Sequence, residues 1–375
     1  MSNVLFMMDS PLAYMSGIWL HRNETPSTAL GKRGHGVKQV AIGNSVPDNL
    51  MQWPDTVVFG RAYPSQYDPI KIMHEYKKLG KRVIYDMDDD FWAVQPDNPS
   101  VLVSNAHKDQ YEGLIEAADA VITPSPVLAK KFKKHFKKDV FICPNGIDFN
   151  EYTERPHTPD QILKIGYMGA ASHWKDLQLI GNVIADLQKK YDFVFTIYGI
   201  TGEPLEAALY TYNKILKSGF QPEKSAYHKA ALDFAEQLKG TRMWHVPFMP
   251  PELHAKTLAS CDLDIGLAPL HDTEFNRGKS NIKFYEYAAV GTATIASDVA
   301  PYNTEVKYTA KNTHKDWYDK IEKLIVNKEL REKVAREQQE WVRKNRSVDA
   351  IGLDWEMAIQ KPSKWGVKVL NQIRK

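Results

Sequence analysis

Short apolar runs alternate with amphipathic stretches along the first 145 residues of the chain. Each apolar run has the length of a strand, and the stretches between them carry apolar residues at helical spacing. The predicted strands are Val4–Met8, Val37–Ile42, Thr56–Phe59, Arg82–Tyr85, Ala120–Thr123 and Val140–Cys143. The predicted helices are Thr25–Gly34, Ile70–Leu79, Lys108–Ala118 and Val127–His135. Strands that alternate with helices of this length favour a parallel, doubly wound sheet.

The pattern breaks between Asn145 and Gln161, where the chain is polar and rich in turn residues, so we place a domain linker there. A second α/β series follows. Its predicted strands are Leu163–Met168, Phe193–Tyr198, Met243–Val246, Leu263–Leu267 and Ala293–Ala296, and its helices are Leu177–Lys190, Pro251–Ser260, Trp317–Val326 and Lys328–Asn345. A polar excursion from Gly202 to about Gln237 interrupts the series. The predicted fold is α/β, with two Rossmann-like domains at residues 1–155 and 161–345 and a helical segment at 346–375 that packs back on the first domain.

Composition and charge narrow the class of protein. The 375 residues are 43% hydrophobic and 25% charged, which is typical of a globular protein. The net charge of +3 is nearly balanced, so the overall charge does not indicate binding to nucleic acid or to a membrane. Cys143 and Cys261 both lie in apolar runs, which indicates buried thiols in a reducing compartment. No apolar run reaches the roughly 18 residues of a membrane-spanning helix, and no leader is evident, so we expect a cytoplasmic protein.

The stretch Phe275–Pro301 predicts one complete α/β unit, in which a polar loop leads to an amphipathic helix, a glycine stop and a short strand. Free N–H groups and two ammonium groups at the helix start would form a site for a diphosphate. Glu286, further along the helix, would accept hydrogen bonds from a sugar or ribose diol. The alternative is a capped surface helix with solvated lysines. The residues at the helix start are Lys279, Ser280, Asn281 and Lys283.

A second loop of the same kind follows the first strand of the second domain. Small residues from Gly169 to Ser172, including Ala170, would let the backbone approach a phosphate, and Lys175 would add positive charge. Taken alone, the loop is equally compatible with a tight turn beside an exposed lysine. Together with Lys279 and Lys283, it places positive charge at two strand ends of one sheet.

The sequence resembles the GT-B glycosyltransferases, specifically the family 4-like retaining enzymes. The resembling segments occur in the order of that family: RGHGV (33–37), ITPSPVLAKKF (122–132), PNGID (144–148), IGYMGAASHWKDL (165–177), VPFMPPELHAKTLASCDLDIGLAPL (246–270) and KSNIKFYEYAAVGTATIAS (279–297). The resemblance implies two Rossmann-like domains that face each other across a cleft and bind a nucleotide-sugar.

The resemblance also implies roles for individual residues. Lys175 matches a diphosphate-binding lysine, and Glu286 matches the second glutamate of the family's E-x7-E signature, which holds the ribose. The segment 246–249, with Phe248 and Met249, matches the strand end that borders the base. In the same arrangement Gly17 follows the first strand and lies over the donor phosphates.

Two positions depart from the family pattern. The first glutamate of E-x7-E, which contacts the donor sugar, falls on Gly278, and an arginine of the phosphate clamp falls on Ala170. Lys279 or Lys283 would replace the arginine electrostatically. Asp272 and Glu274 are candidate replacements for the lost carboxylate.

A run of carboxylates follows the strand Arg82–Tyr85 of the first domain. Crowded carboxylates raise each other's pKa or require a cation. The run is compatible with an Asp-x-Asp metal site of a GT-A enzyme, with the nucleophile of a phosphatase using Asp86 and Asp88, with a structural loop, or with an acidic wall that faces the acceptor. We favour the acceptor wall, since the rival enzyme folds leave part of the strand pattern unexplained. Asp88 and Asp89 are assigned to catalysis, and acceptor binding is assigned to Asp86, Asp90, Trp92 and Arg61.

A dense basic stretch ends the predicted helix Val127–His135. Such a stretch is ordinarily a solvated helix face, and the alternative is a surface for a polyanion such as DNA or anionic lipid. The six lysines are Lys130, Lys131, Lys133, Lys134, Lys137 and Lys138. The basic tail 361–375 would add to such a surface if it folds back on the first domain.

The sequence thus predicts an enzyme that moves a sugar from a nucleotide-sugar, with a UDP-sugar as the expected donor, to a hydroxyl group. Retention of configuration is implied by the resemblance alone. No metal or other cofactor is required, because lysines and backbone dipoles would neutralise the diphosphate. Two alternatives remain open: a glycosyltransferase acting on hydroxymethylated bases of DNA, and a non-catalytic module that binds a nucleotide-sugar.

Overall fold

The computed structural model describes residues 1–8, 17–41, 46–60, 68–98, 100–158, 161–200 and 226–360. The chain divides into two compact units. The first comprises Met1–Asp89, His107–Gly146 and the chain from Arg346 onward, and the second comprises Asp90–Ala106 and Ile147–Asn345. Across the described ranges, no helix combines the length and the apolar character needed to cross a membrane.

The first unit contains a six-stranded sheet in which every paired strand is parallel. Its strands are β1 (Asn3–Met8), β2 (Gly36–Ala41), β3 (Thr56–Phe59), β4 (Arg82–Asp86), β5 (Ala120–Thr123) and β6 (Asp139–Ile142), in the spatial order β2-β1-β3-β4-β5-β6. β3, β4 and β5 are buried along their whole length. Burial on both faces explains why these strands are continuous apolar runs rather than alternating ones.

The helices of the first unit are α1 (Gly17–Trp19), α2 (Thr25–Lys32), α3 (Asp48–Gln52), α4 (Pro69–Lys78), α6 (Lys108–Ala117), α7 (Pro126–Phe136) and α16 (Val348–Ile359), while α5 (Val101–Ala106) belongs to the second unit. A π-helical turn, Leu20–Glu24, joins α1 to α2. α16 packs into the core of the first unit, where the ring of Trp355 lies 5.9 Å from that of Phe6. Residues 361–375 lie outside the described ranges.

The second unit contains another parallel six-stranded sheet. Its strands are β7 (Leu163–Met168), β8 (Phe193–Tyr198), β9 (Met243–Val246), β10 (Ile265–Ala268), β11 (Ala293–Ser297) and β12 (Thr309–Ala310). The spatial order β9-β8-β7-β10-β11-β12 is that of a Rossmann fold, and the order reverses between β7 and β10. Loops that follow these two strands therefore meet at the place where such sheets bind ligands.

The remaining helices surround this second sheet. They are α8 (Trp174–Leu177), α9 (Gly181–Gln188), α10 (Ala226–Gln237), α11 (Pro251–Ser260), α12 (Glu274–Arg277), α13 (Ile282–Ala289), α14 (His314–Val326) and α15 (Lys328–Arg346). α13 is buried from Lys283 to Ala289, and its Phe284 packs against Trp341 of α15. The predicted fold class, two Rossmann-like α/β domains, is confirmed.

Several boundaries differ from the sequence-based prediction. The units divide between Gly146 and Ile147, at the start of the predicted linker, and residues 90–106 group with the second unit. The predicted helix Leu177–Lys190 is two helices, α8 and α9, with a turn between them. The predicted polar excursion contains α10 in its described part, and residues 201–225 lie outside the described ranges.

Candidate functional site

The ammonium group of Lys283 lies at the carboxyl end of β7. Its Nζ donates hydrogen bonds to the carbonyl oxygen of Met168 at 2.8 Å and to the hydroxyl of Tyr167 at 3.1 Å, and it lies 4.2 Å from the centre of the Tyr167 ring. The residue is buried. Gly169 follows the strand with φ +155°, and a Cβ there would come within 2.6 Å of Nζ. The glycine thus leaves the space that the ammonium group occupies.

The pKa of Lys283 is lowered to about 7, because burial and the positive charge of Lys279 outweigh the opposite effects of Asp176 and Glu286. A lysine of this kind carries only part of a charge at neutral pH. An anion bound beside it would favour the charged form. The position is therefore suited to a phosphate group.

A cavity of about 430 Å³ lies among the loops that follow β7 and β10. Both Lys175 and Lys279 line it, so two of the three predicted phosphate-binding lysines share one cavity. The ammonium group of Lys175 is exposed and donates to Gln178 Oε1 at 3.3 Å, and that of Lys279 lies 4.6 Å from the centre of the Phe275 ring. Lys283 is not part of the lining, but it is close enough to Lys279 for the two charges to interact.

One carboxylate, that of Asp176, joins the two loops at this edge of the sheet. Its oxygens accept hydrogen bonds from Nδ1 of His173 at 2.9 Å, from the backbone N–H of His271 at 2.7 Å and from Nδ2 of Asn276 at 3.3 Å. Burial alone would raise the pKa of Asp176, but these hydrogen bonds outweigh it and hold the pKa well below its usual value. The group is therefore an ionised anchor at neutral pH.

Glu286, the residue predicted to bind the ribose, lies on α13 and is buried. Its Oε1 accepts hydrogen bonds at 2.8 Å from the hydroxyl of Tyr152 and from Nε2 of His254. His254 stacks on Tyr198, with ring centres 5.4 Å apart, and its Nδ1 shares a 2.8 Å hydrogen bond with the Tyr198 hydroxyl. Burial opposes a charge on His254, but the Glu286 carboxylate outweighs it and raises the pKa of the imidazole. The carboxylate is held in a fixed orientation by this network.

The other predicted donor-binding residues occupy the same edge of the second sheet. Ser280 and Asn281 immediately precede α13, and Nδ2 of Asn281 donates to Glu305 Oε2 at 2.6 Å. Phe248 and Met249 follow β9, where Phe248 is half exposed and Met249 packs against the core. Ala170 is exposed directly after Gly169.

The two candidate replacements for the missing carboxylate, Asp272 and Glu274, are both exposed. Asp272 lies on the surface, where the guanidinium of Arg277 donates to both its oxygens, at 2.5 and 2.8 Å. Glu274 is exposed in the first turn of α12. Gly278 is buried at the end of the same helix.

In the first unit, Asp86 is buried and pairs with Arg22. Nε and Nη2 of Arg22 donate to its two oxygens at 2.9 and 2.8 Å, and both side chains are about 3% exposed. Nη1 of Arg22 also donates to the carbonyl of Cys143 and to Asn145 Oδ1, and Trp355 covers the guanidinium at 4.7 Å. Both oxygens of Asp86 thus hold Arg22, and a role for this side chain in acceptor binding stays a prediction.

The remaining residues predicted near the acceptor follow β4 or β1. Asp88 and Asp89 are partly exposed, and the Asp88 charge acts on Arg22. Asp90 is buried and Trp92 is partly exposed, and both group with the second unit. Gly17 begins α1, and Arg61 lies outside the described residues. Within the described ranges, no group of three or more His, Cys, Asp or Glu side chains is placed to hold a metal ion.

The basic stretch lies on α7 and just beyond it, with Phe132 on its buried side. The side chains of Lys130, Lys133, Lys134 and Lys137 are exposed, and that of Lys131 is partly exposed. Lys138 has a structural role, because its ammonium group donates to the carbonyls of Glu116 and Ala118 at 2.7 and 2.8 Å. The ammonium group of Lys138 is thus held within the first unit, and the polyanion surface of the six lysines stays a prediction.

Sequence reasoning missed the anchoring residues of the site. His173 and Asp176 lie inside the loop that was singled out for Gly169 and Lys175, but their spacing did not indicate that they bond to each other. His254 lies in the resembling segment 246–270 and Tyr152 in the predicted linker, but neither residue was singled out. Their partner Glu286 is 32 and 134 residues away, respectively.

Comparison of the structure with solved structures identifies the common architecture. A glycosyltransferase from Rickettsia africae is similar over 96% of this chain and 99% of its own, with a TM-score of 0.61 and 13% identity. An alpha-glucosyltransferase in complex with UDP-glucose and DNA containing an abasic site is similar over 96% of this chain and 100% of its own, with a TM-score of 0.63 and 13% identity. The chain has the GT-B fold.

A third GT-B structure, a lipopolysaccharide outer core galactosyltransferase, is similar over 95% of this chain and 99% of its own, with a TM-score of 0.54 and 12% identity. No protein-family model matches the sequence, and no curated protein is similar to it in sequence. The GT-B architecture therefore follows from tertiary structure, at a sequence identity where only the fold is shared.

Proposed function

We propose that the protein is a glycosyltransferase that moves a sugar from a UDP-sugar to a hydroxyl acceptor. The observation that carries this proposal is the position of Lys283, buried beside Gly169 at the carboxyl end of β7, with Lys279 near enough to lower its pKa. Two cationic groups at the switch point of a Rossmann sheet provide charge for a diphosphate. Solved structures of the same fold hold UDP or UDP-glucose.

The chemistry requires that negative charge on the leaving group be stabilised. In the transfer, the bond between the anomeric carbon and the β-phosphate oxygen breaks, and its electron pair stays on the departing UDP. The acceptor oxygen forms the new bond to the anomeric carbon, and its proton passes to a phosphate oxygen. Lys279 and Lys283 would stabilise the diphosphate as its charge grows, which is the main contribution expected from such a site. We propose retention of configuration and a reaction without a required metal.

The rest of the donor would occupy the neighbouring loops. We propose that Glu286 accepts hydrogen bonds from the ribose hydroxyls, with Tyr152 and His254 holding its carboxylate in place. Phe248 and Met249, which follow β9, would border the base. Both cysteines are buried thiols, which fits the reducing environment of the cytoplasm that we propose for the reaction.

The proposal is tested by titrating the protein with UDP and UDP-glucose in a calorimeter and by measuring UDP release from UDP-glucose. We expect Lys283→Met to lower the affinity for both ligands at least tenfold, because an apolar side chain of similar length removes the charge and keeps the packing. Lys279→Ala combined with Lys283→Ala should abolish UDP release and leave the circular dichroism spectrum unchanged. Lys189→Met, which alters an exposed lysine paired with Asp186, is the control.

Unchanged affinity in Lys283→Met would refute the phosphate assignment. Tight binding of UDP-glucose without UDP release, with or without a panel of hydroxyl acceptors, would favour the non-catalytic module instead. Both outcomes are distinct from misfolding, which the spectrum and the melting temperature report.

A second candidate is transfer to hydroxymethylated bases of DNA. It is favoured by the exposed lysines of α7, and solved structures of the same fold hold DNA with an abasic site or an HMU base. We expect glucosylation of a hydroxymethylated duplex to fall steeply with salt, since each phosphate contact releases counterions. Replacing Lys130, Lys133 and Lys134 together by Gln should reduce the salt dependence. A rate that does not change with salt would exclude this acceptor.

A further inference from the structure

The imidazole of His173 lies in the wall of the cavity beside Lys175 and Lys279 and has no role in the diphosphate site described above. Its Nδ1 lies 2.9 Å from Oδ2 of Asp176. An ionised carboxylate only accepts hydrogen bonds, so Nδ1 must carry the proton. In the neutral ring Nε2 is then an acceptor with a free lone pair.

The surroundings keep this ring neutral. Burial is the first cause that lowers the pKa of His173, the charges of Lys283 and Lys279 lower it further, and together they outweigh Asp176, so that the pKa is about 4. The side chain is about one-fifth exposed, and within the described residues its Nε2 makes no hydrogen bond. A neutral hydrogen-bond acceptor thus lies in the wall of the cavity that Lys175 and Lys279 also line.

The ring is also held rigidly. Asp176 binds the backbone N–H of His271 and the amide of Asn276 in addition to His173. The loop after β7 and the loop after β10 are therefore tied to one carboxylate. Groups fixed in this way lose little entropy when they bind a ligand.

Because Nε2 of His173 is a hydrogen-bond acceptor, it can bind only a part of the ligand that donates a hydrogen bond. A phosphate oxygen in a diphosphate diester has no proton to donate, so it gains nothing from a lone pair on Nε2. A hydroxyl group does donate. In a UDP-sugar the hydroxyl groups lie on the ribose and on the sugar, and the ribose is already assigned to Glu286, which does not line this cavity.

We propose that His173 recognises a hydroxyl group of the donor sugar through Nε2, with Asp176 as the residue that positions the ring. This inference rests on the proposed function, since it requires a nucleotide-sugar in the cavity. His173 is then a specificity-determining residue, and Lys279 and Lys283 bind the part that all UDP-sugars share. In this proposal a neutral group binds the sugar, and charged groups bind the diphosphate.

The test compares how much the sugar adds to affinity in variant proteins. UDP, UDP-glucose, UDP-galactose and UDP-N-acetylglucosamine are titrated into each protein by calorimetry, and the ratio of the UDP Kd to the UDP-sugar Kd is taken for the best sugar. His173→Asn places an amide donor near the Nδ1 position, toward Asp176, and removes the Nε2 acceptor. His173→Gln places an amide oxygen near the Nε2 position. His314→Asn is the control, because His314 pairs with Asp186 at 3.0 Å on the surface.

We expect His173→Asn to lower that ratio about three- to tenfold, the effect of one lost hydrogen bond, and to change the Kd of UDP less than twofold. His173→Gln should restore part of the ratio, and His314→Asn should change neither value. A deoxy analogue of the best sugar that lacks the recognised hydroxyl should bind the wild type and His173→Asn with equal affinity.

Three outcomes would overturn the inference. An unchanged ratio in His173→Asn would show that the ring does not contact the sugar, while UDP binding would leave the proposed function standing. Equal losses for UDP and UDP-sugars would place His173 on the phosphates. A wild-type protein that binds no sugar more tightly than UDP would mean that no side chain contributes sugar recognition. Failure to bind UDP or any UDP-sugar would instead refute the proposed function itself.

Discussion

The ammonium group of Lys283 packs directly against Gly169. Any larger residue at position 169 would occupy the space of that ammonium group. A Cβ atom at that position would come within 2.6 Å of Nζ and 2.5 Å of the Tyr167 hydroxyl. Neither neighbour is free to withdraw, because Nζ is bonded to the Met168 carbonyl and the Tyr167 ring is buried in the core. The glycine therefore places the charge, and the charge defines the candidate diphosphate site.

Gly169→Ala should weaken UDP binding at least tenfold, because the new methyl group displaces the ammonium group and strains a backbone with φ +155°. Calorimetric titration with UDP measures the effect. Gly240→Ala is the matched control: Gly240 also has a positive φ, +78°, but among the described residues no atom beyond its chain neighbours lies within 4 Å of the added Cβ. That control should lower the melting temperature slightly and leave the affinity unchanged. Equal affinities for the two variants would contradict the proposed geometry.

The affinity for UDP-glucose should fall as the pH rises from 6 to 9. The pKa of Lys283 in the free protein is about 7, so above this pH the lysine is mostly neutral and must take up a proton when the diphosphate binds. Below the pKa the charge is already present and the affinity levels off. The diphosphate of UDP-glucose has no proton that titrates in this range. Proton uptake is measured by calorimetry in buffers of different ionisation enthalpy.

In Lys283→Arg the pH dependence over this range should vanish, whatever the absolute affinity, because a guanidinium remains charged. A wild-type protein whose affinity and proton uptake are constant between pH 6 and 9 would show that Lys283 is not the group that meets the diphosphate.

Asp86→Asn should destabilise the first unit by about 3–5 kcal/mol, because it leaves the buried guanidinium of Arg22 without its carboxylate partner. Urea unfolding monitored by tryptophan fluorescence measures the change. Asp319→Asn breaks an exposed pair with Lys315 and should leave the free energy of unfolding nearly unchanged. If Asp86→Asn were as stable as the wild type but inactive, the side chain would have a chemical rather than a structural role.

His254→Phe should reduce the preference for UDP over 2′-deoxyuridine diphosphate. The phenyl ring keeps the stacking on Tyr198 but donates no hydrogen bond, so the carboxylate of Glu286 loses one of the groups that orient its Oε1. We expect roughly a threefold to tenfold loss for UDP and little change for the deoxy ligand. Parallel losses for both ligands would mean that Glu286 does not meet the ribose. Tyr227→Phe, a change outside this network, serves as the control.

The sequence determined the strands, the helices and most of the residues at the candidate diphosphate site. Apolar runs and helical spacing depend on neighbours a few residues apart, so Leu163–Met168 and Phe193–Tyr198 were predicted with the bounds that the structure shows. Loops that follow parallel strands meet at one edge, so Lys175 and Lys279 were expected together, and they line one cavity.

Only the tertiary structure decided which polar side chains are occupied by partners and which line a cavity. Asp86 and Glu286 were both predicted from their positions after a strand or on a helix, but Asp86 holds Arg22 in the core, 64 residues away. A role for His173 was not predicted from the sequence, because it depends on Asp176 and on the two lysines around the ring. The physical reason is that the charge and tautomer of a side chain depend on burial and on groups distant in sequence, which local spacing does not record.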